Sequence, residues 1–96
     1  MITVQLQALL MLKSVIGSPQ VSLQLDEGTT IKELIGVLVA RYGYPFASIF
    51  INPVTNQPYE YFRLLLNGQD IVFLQNFETQ LTDGDIFLII PIIGGG

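Results

Sequence analysis

The stretch Thr82-Asp83-Gly84-Asp85-Ile86-Phe87-Leu88-Ile89-Ile90-Pro91 decides how this chain is read. Residues 82–85 are turn formers, because aspartate side chains bond nearby backbone groups and glycine accepts a tight bend. Residues 86–90 are apolar without interruption. A strand with one wet face alternates in polarity. Continuous apolarity predicts a central strand, covered on both faces and parallel to a neighbour. Pro91 closes the run.

Working back to the start, Ile2, Val4 and Leu6 alternate with Thr3, Gln5 and Gln7. That period of two predicts a strand with one buried face, taken here over residues 2–12. Gly17-Ser18-Pro19 is a turn, after which Val21, Leu23 and Leu25 are set against Gln20, Ser22 and Gln24. Two such strands flanking a turn predict an antiparallel hairpin. Asp26-Glu27-Gly28-Thr29 reads as a solvated loop. Thr30 and Glu33 then form a capping box, each side chain satisfying a backbone N–H at a helix start. Ile31, Leu34, Ile35, Leu38, Val39 and Tyr42 follow at the spacing of one helical face. Gly43 stands at the C-terminal cap position and Pro45 prevents continuation. The stripe on this helix reads as core and not as a ligand site.

Residues 44–62 hold Pro45, Pro53 and Pro58, and the aromatic residues crowd there. They read as an ordered loop whose rings cap the core, with a short strand beginning at Phe50 and Ile51. Residues 63–66 predict a buried strand closed by the Asn67-Gly68 turn, and residues 71–74 a further short strand. The order β-β-α-β-β-β within 96 residues lays one main helix across a mixed sheet. That is an α+β fold, the ubiquitin-like β-grasp roll.

Composition bounds the function. A chain of 96 residues makes one domain with a single core. It has neither cysteine nor histidine, which excludes disulfide scaffolds, thiolate zinc sites and imidazole-based triads. Four basic residues against eight acidic give a net charge of −4, so no nucleic acid is expected as a partner. A basic protein surface is the better complement. Apolar residues reach 50% and charged ones only 12%. A small domain cannot hide that much apolar surface, so a contact patch is expected. The apolar runs at 34–40 and 86–93 fall short of the ~18–20 residues of a membrane span. Met1-Ile2-Thr3-Val4-Gln5 has no basic n-region, so no signal peptide, no membrane and a cytoplasmic location are expected. No carboxylate pair can be placed for general acid–base work, and no cofactor or metal is expected.

The chain closes on Pro91-Ile92-Ile93-Gly94-Gly95-Gly96. Fixing a backbone residue costs about 1–2 kcal/mol, and glycine loses the most freedom. These residues therefore read as a flexible tail, 92–96, on a domain of residues 1–91. Extended, the tail reaches about 16 Å beyond Pro91. Such a strand can thread a narrow channel and present a carboxylate with no side chain beside it.

Three stretches now resemble one family: residues 25–35, residues 66–71, and residues 81–91 with the glycines. Together they are similar to the sulfur carriers that include the molybdopterin synthase small subunit and the thiamine-pathway carrier (MoaD/ThiS-like). The resemblance implies a carrier and not a catalyst. Its terminal glycine, Gly96 here, would be adenylated and then thiocarboxylated, with Gly95 the second required glycine. The implied partners are a ubiquitin-activating-type adenylating enzyme that uses ATP and a molybdopterin synthase large subunit or another sulfur-accepting synthase. Ile92, Gly94, Leu9 and Lys13 depart from the molybdopterin branch. A thiamine-pathway carrier and a ubiquitin-like protein modifier joined through Gly96 stay open as alternatives.

The remaining polar residues read as structural. Asp83 and Asp85 shape a turn, as do Asn67 and Gly68. For the contact patch, the sheet face beside the tail and the aromatic segment are the candidates. At least one ring among Phe46, Phe50, Tyr59 and Tyr61 is expected to be largely exposed and to be covered in a complex or a homodimer.

Overall fold

The computed structural model describes residues 1–92. Strand β1 (Ile2–Ala8) and strand β2 (Gln20–Leu25) pair antiparallel, from Ile2 opposite Leu25 to Gln7 opposite Gln20. Between them the predicted strand to Leu12 is replaced by a short helix, α1 (Met11–Ile16). Leu10 interrupts the extended backbone at φ 55° and ψ −127°. The helix turns Leu12 fully into the core and ends on the left-handed Gly17.

Helix α2 (Ile31–Tyr42) matches its expected bounds. The Thr30 hydroxyl accepts from the Glu33 N–H at 3.2 Å, and Glu33 Oε1 accepts from the Thr30 N–H at 3.0 Å. Ile31, Leu34, Ile35 and Leu38 are buried along one face. After Gly43 the chain does not become a loop. Pro45 opens a new helix, α3 (Tyr44–Phe50), since proline is tolerated in a first turn where its missing N–H has no partner anyway. Phe46 and Phe50, four apart, share its inner face and are fully buried, with ring centroids 5.1 Å apart. Strands β3 (Ile51–Asn52) and β4 (Gln57–Pro58) form a small separate hairpin.

Strand β5 (Phe62–Leu66) turns at Asn67-Gly68 into the two-residue β6 (Gln69–Asp70). Asn67 at φ 52° and Gly68 at φ 84° both need the left-handed region, which this residue pair tolerates best. The strand expected at 71–74 is instead a single 3₁₀ turn, Ile71–Phe73. Asp70 caps it by accepting from the Val72 N–H at 3.0 Å, a local bond that competes with strand pairing. A second 3₁₀ turn, Asn76–Glu78, follows.

Strand β7 (Ile86–Pro91) lies at the centre of a five-stranded sheet of order β2-β1-β7-β5-β6. It runs parallel to β1 and antiparallel to β5. The central position and the parallel neighbour are as expected from its apolarity. Cover on both faces is not. Phe87, Ile89 and Pro91 are buried inward, while Ile86 is exposed and Leu88 and Ile90 are only half-buried on the outer face. The helices pack on one side of the sheet, so continuous apolarity here reflects an open apolar face and not a second layer. The core joins Val4, Leu6, Phe87, Ile89 and Leu64 of the sheet to Leu34, Leu38, Phe46 and Phe50 of the helices.

Candidate functional site

The site is built around the end of β7. The turn at 82–85 fixes where this strand starts. Asp85, only 7% exposed, accepts from the Thr82 N–H at 2.8 Å, the Thr82 hydroxyl at 3.1 Å and the Asn67 side-chain amide at 2.9 Å. Asn67 Oδ1 in turn accepts from the Ile86 N–H at 2.9 Å. The two turns are thus locked to each other at the first residue of β7. Asp83 accepts from the Thr3 N–H at 2.7 Å and ties the same turn to β1. Both aspartates shape the turn, as expected from the sequence.

At the other end, Pro91 sits opposite Phe62, and the Ile92 N–H donates to the Tyr61 carbonyl at 2.6 Å. The backbone is therefore held on the sheet up to Ile92. Gly95 and Gly96, the expected functional residues, lie outside the described residues, as does Gly94.

The surface around this exit is apolar. Tyr61, 45% exposed, stacks on Tyr59 with ring centroids 5.2 Å apart. Of the four rings expected to include a largely exposed one, Tyr61 is the most open but is less than half exposed, Tyr59 is half-buried, and Phe46 and Phe50 are core. The most exposed ring of the segment is Tyr44. On the β1 side, the parallel register sets Ala8 beside Ile89, and the chain leaves there through the exposed Leu9 and Leu10. Holding Leu10 at positive φ costs about 1–3 kcal/mol, a strain of the kind that collects at functional sites.

From this exit an apolar stripe runs along the outer sheet face. Ile86, Leu88 and Ile90 of β7 lie beside Leu65 of β5, with Leu88 directly opposite Leu65. Gln5 and Gln7 border it on β1 and Arg63 on β5. Arg63 reaches Asp70 at 3.9 Å, an exposed pair that contributes little stability. A flat apolar stripe beside a strand end is suited to desolvation against another protein. Expecting residues 86–90 to be covered on both faces assigned these side chains to a buried layer, whereas the expectation of a contact patch on the sheet face beside the tail matches them. Their alternation about the sheet becomes visible only once the sheet is seen to have one covered face.

Among the described residues no group of three or more Asp and Glu side chains is placed to hold a metal ion. No helix among them is long and apolar enough to cross a membrane.

A five-stranded mixed sheet wrapped on α2, with the C-terminal strand at its centre, defines the class of ubiquitin-like β-grasp proteins. Within that class the model of the ThiS family matches residues 12–96, and the chain belongs to that family. It is a family of ubiquitin-like sulfur carriers and modifiers. No curated protein matches the chain with significance. Among solved structures, small archaeal modifier protein 1 from Methanosarcina acetivorans is 25% identical, with a TM-score of 0.79 over 100% of this chain and 98% of that one. Small archaeal modifier protein 1 from Haloferax volcanii is 18% identical, with a TM-score of 0.82 over 97% of this chain and 100% of that one. A Pyrococcus furiosus protein assigned as molybdopterin converting factor subunit 1 is 17% identical, with a TM-score of 0.76 over 97% and 99% of the two chains.

Proposed function

We propose that this protein carries sulfur on its C-terminus, as a thiocarboxylate of Gly96, for the synthesis of molybdopterin. The observation that carries this reading is the placement of the end. Strand β7 is pinned at the sheet centre to Ile92, beside an apolar docking stripe, and the sequence runs on from there to Gly94-Gly95-Gly96. The domain is residues 1–91 and the tail 92–96.

The chemistry needs no side chain of this protein. The Gly96 carboxylate attacks the α-phosphorus of ATP in the site of a ubiquitin-activating-type enzyme, and pyrophosphate leaves. A sulfur nucleophile at the sulfide level then adds to the acyl carbon, and AMP leaves with the bonding pair. The result is a thiocarboxylate. Glycines 94–96 keep the approach narrow enough for an enzyme channel, and the stripe of Leu65, Leu88 and Ile90 gives the enzyme a surface to dock on. The large subunit of a molybdopterin-synthase-like complex would then take the same face and accept the sulfur.

The test is mass spectrometry after incubation with the activating enzyme, ATP and a sulfur donor. The oxygen-to-sulfur exchange adds about 16 Da at the C-terminus. Activation that survives deletion of Gly95-Gly96 would sink the proposal. Leu88→Asp should keep the fold and lose activation, since a carboxylate on the stripe must be desolvated to dock. Co-purification separates the acceptors, a molybdopterin-type large subunit supporting this reading and a thiazole-forming synthase replacing it.

The likeness to small archaeal modifier protein 1 favours a second reading, in which Gly96 is joined to lysines of target proteins. A ladder of high-mass conjugates on an immunoblot of the native host, lost when Gly96 is removed, supports the modifier. A single low-mass band with a cofactor deficiency on deletion supports the carrier.

A further inference from the structure

The two edges of the sheet are finished differently. At one edge, β6 is two residues long and is bordered by the Arg63–Asp70 pair. At the other, β2 runs for six residues, Gln-Val-Ser-Leu-Gln-Leu, with no charge, proline or glycine. Edge strands are ordinarily guarded by charge, proline, a bulge or shortness, because their free backbone groups template pairing with another strand. β2 carries none of these guards.

The ladder identifies which groups are free. The Ala8 N–H donates to the Pro19 carbonyl at 3.1 Å, which makes Ala8 and Pro19 a hydrogen-bonded pair in the β1–β2 register. Antiparallel pairs alternate, so Val21, Leu23 and Leu25 bond to β1, while the N–H and C=O of Gln20, Ser22 and Gln24 point away from the sheet. The Ser18 hydroxyl donates to the Gln20 carbonyl at 2.8 Å and accepts from the Gln20 N–H at 3.3 Å. The outward groups without a backbone or side-chain partner on β2 are therefore those of Ser22 and Gln24.

We propose that β2 is a self-pairing edge, at which two copies of this chain join antiparallel about a two-fold axis through Leu23. That register sets Ser22 opposite Gln24 of the second copy and Gln24 opposite its Ser22. Each pair then exchanges both of its backbone hydrogen bonds, and only free groups are used. A register centred on Ser22 would instead require Gln20, whose groups Ser18 already holds.

The side chains favour a second copy over an unrelated strand. On the inner face, Leu23 meets Leu23 and the half-buried Val21 meets Leu25, so the two cores become continuous. On the outer face, an amide and hydroxyl ladder already exists. Gln20 donates to Gln5 at 3.2 Å, Gln7 to Gln20 at 3.1 Å and the Ser22 hydroxyl to Gln5 at 2.9 Å. The Ser22 oxygen keeps its acceptor capacity, which the Gln24 amide of the second copy fills. The chain has a net charge of −4, yet β2 brings no like charge against itself. β1 separates β2 from β7, so the pairing leaves the end of β7 and the apolar stripe open.

Sedimentation equilibrium of the full chain from about 10 µM to about 1 mM should fit a monomer–dimer equilibrium. Ser22→Pro removes an N–H that β1 does not use, and Gln24→Lys places a charge on the edge. Each variant should keep its thermal midpoint and weaken the dimer by about tenfold or more. Should Ser22→Pro fail to fold, Gln24→Lys decides alone. Amide exchange should slow at Ser22 and Gln24 as concentration rises. A chain that stays monomeric to the highest concentration, or a dimer unaffected by Gln24→Lys, overturns the proposal. Protection of these two amides that depends on a different protein and not on concentration assigns the edge to another occupant and also overturns it.

Discussion

Asp85→Ala should be among the most damaging single changes at the surface turns of this protein. The carboxylate is 7% exposed and accepts from three donors, the Thr82 N–H, the Thr82 hydroxyl and the Asn67 amide. A hydrogen bond to a charged group contributes roughly 1.5–3 kcal/mol, but three on one group share their effect, and water can reach part of the site once the carboxylate is gone. Removing one negative charge takes the net from −4 to −3, easing self-repulsion by less than about 1 kcal/mol. The expected net loss is about 3 kcal/mol. For a domain of this size that lowers the thermal midpoint by roughly 12–24 °C. Asp83→Ala is the internal control. Asp83 accepts a single bond, from the Thr3 N–H at 2.7 Å at an exposed position, so it should cost only about 0.5–1.5 kcal/mol. Urea unfolding followed by circular dichroism measures both. If Asp85→Ala stays within about 1 kcal/mol of the parent, or if Asp83→Ala is the worse of the two, the locking of the two turns through Asp85 is refuted.

Three further substitutions separate other parts of the fold. Gly36 lies inside α2, and a Cβ built there meets no atom within 4 Å, so Gly36→Ala should stabilise by about 0.5–1 kcal/mol in the same urea assay. Phe50 is fully buried against Phe46 and Phe62, with ring centroids 5.1 Å from each, and Phe50→Ala should cost about 3–5 kcal/mol. Tyr61→Ala, at a ring 45% exposed beside Ile92, should change stability by less than about 1 kcal/mol and, on the proposed carrier function, raise the KM for the activating enzyme. The reverse pattern would move the docking surface away from Tyr61.

Much of the local chemistry was legible in the sequence, although the Asp70 cap that makes 71–73 a 3₁₀ turn was not. The Thr30–Glu33 box and the stripe from Ile31 to Tyr42 placed α2, because capping and helical periodicity are local properties. Asn67-Gly68 and the alternation of β1 and β2 were readable for the same reason. The motif that ends in Gly94-Gly95-Gly96 carried the family, which the match over residues 12–96 bears out. Other features depended on what lies across the fold. Pro45 could close one helix or open the next, and the burial of Phe46 and Phe50 against Phe62 decided for a new helix. Leu10 could extend a strand, and the pull of Leu12 into the core decided for a turn and α1. Residues 86–90 were apolar whichever side was covered. Only the sheet order, with the helices on one face, shows that Leu88 and Ile90 line an open stripe and not a second core. Apolarity states that a side chain gains by leaving water, and tertiary structure decides whether its own chain or another protein provides the cover.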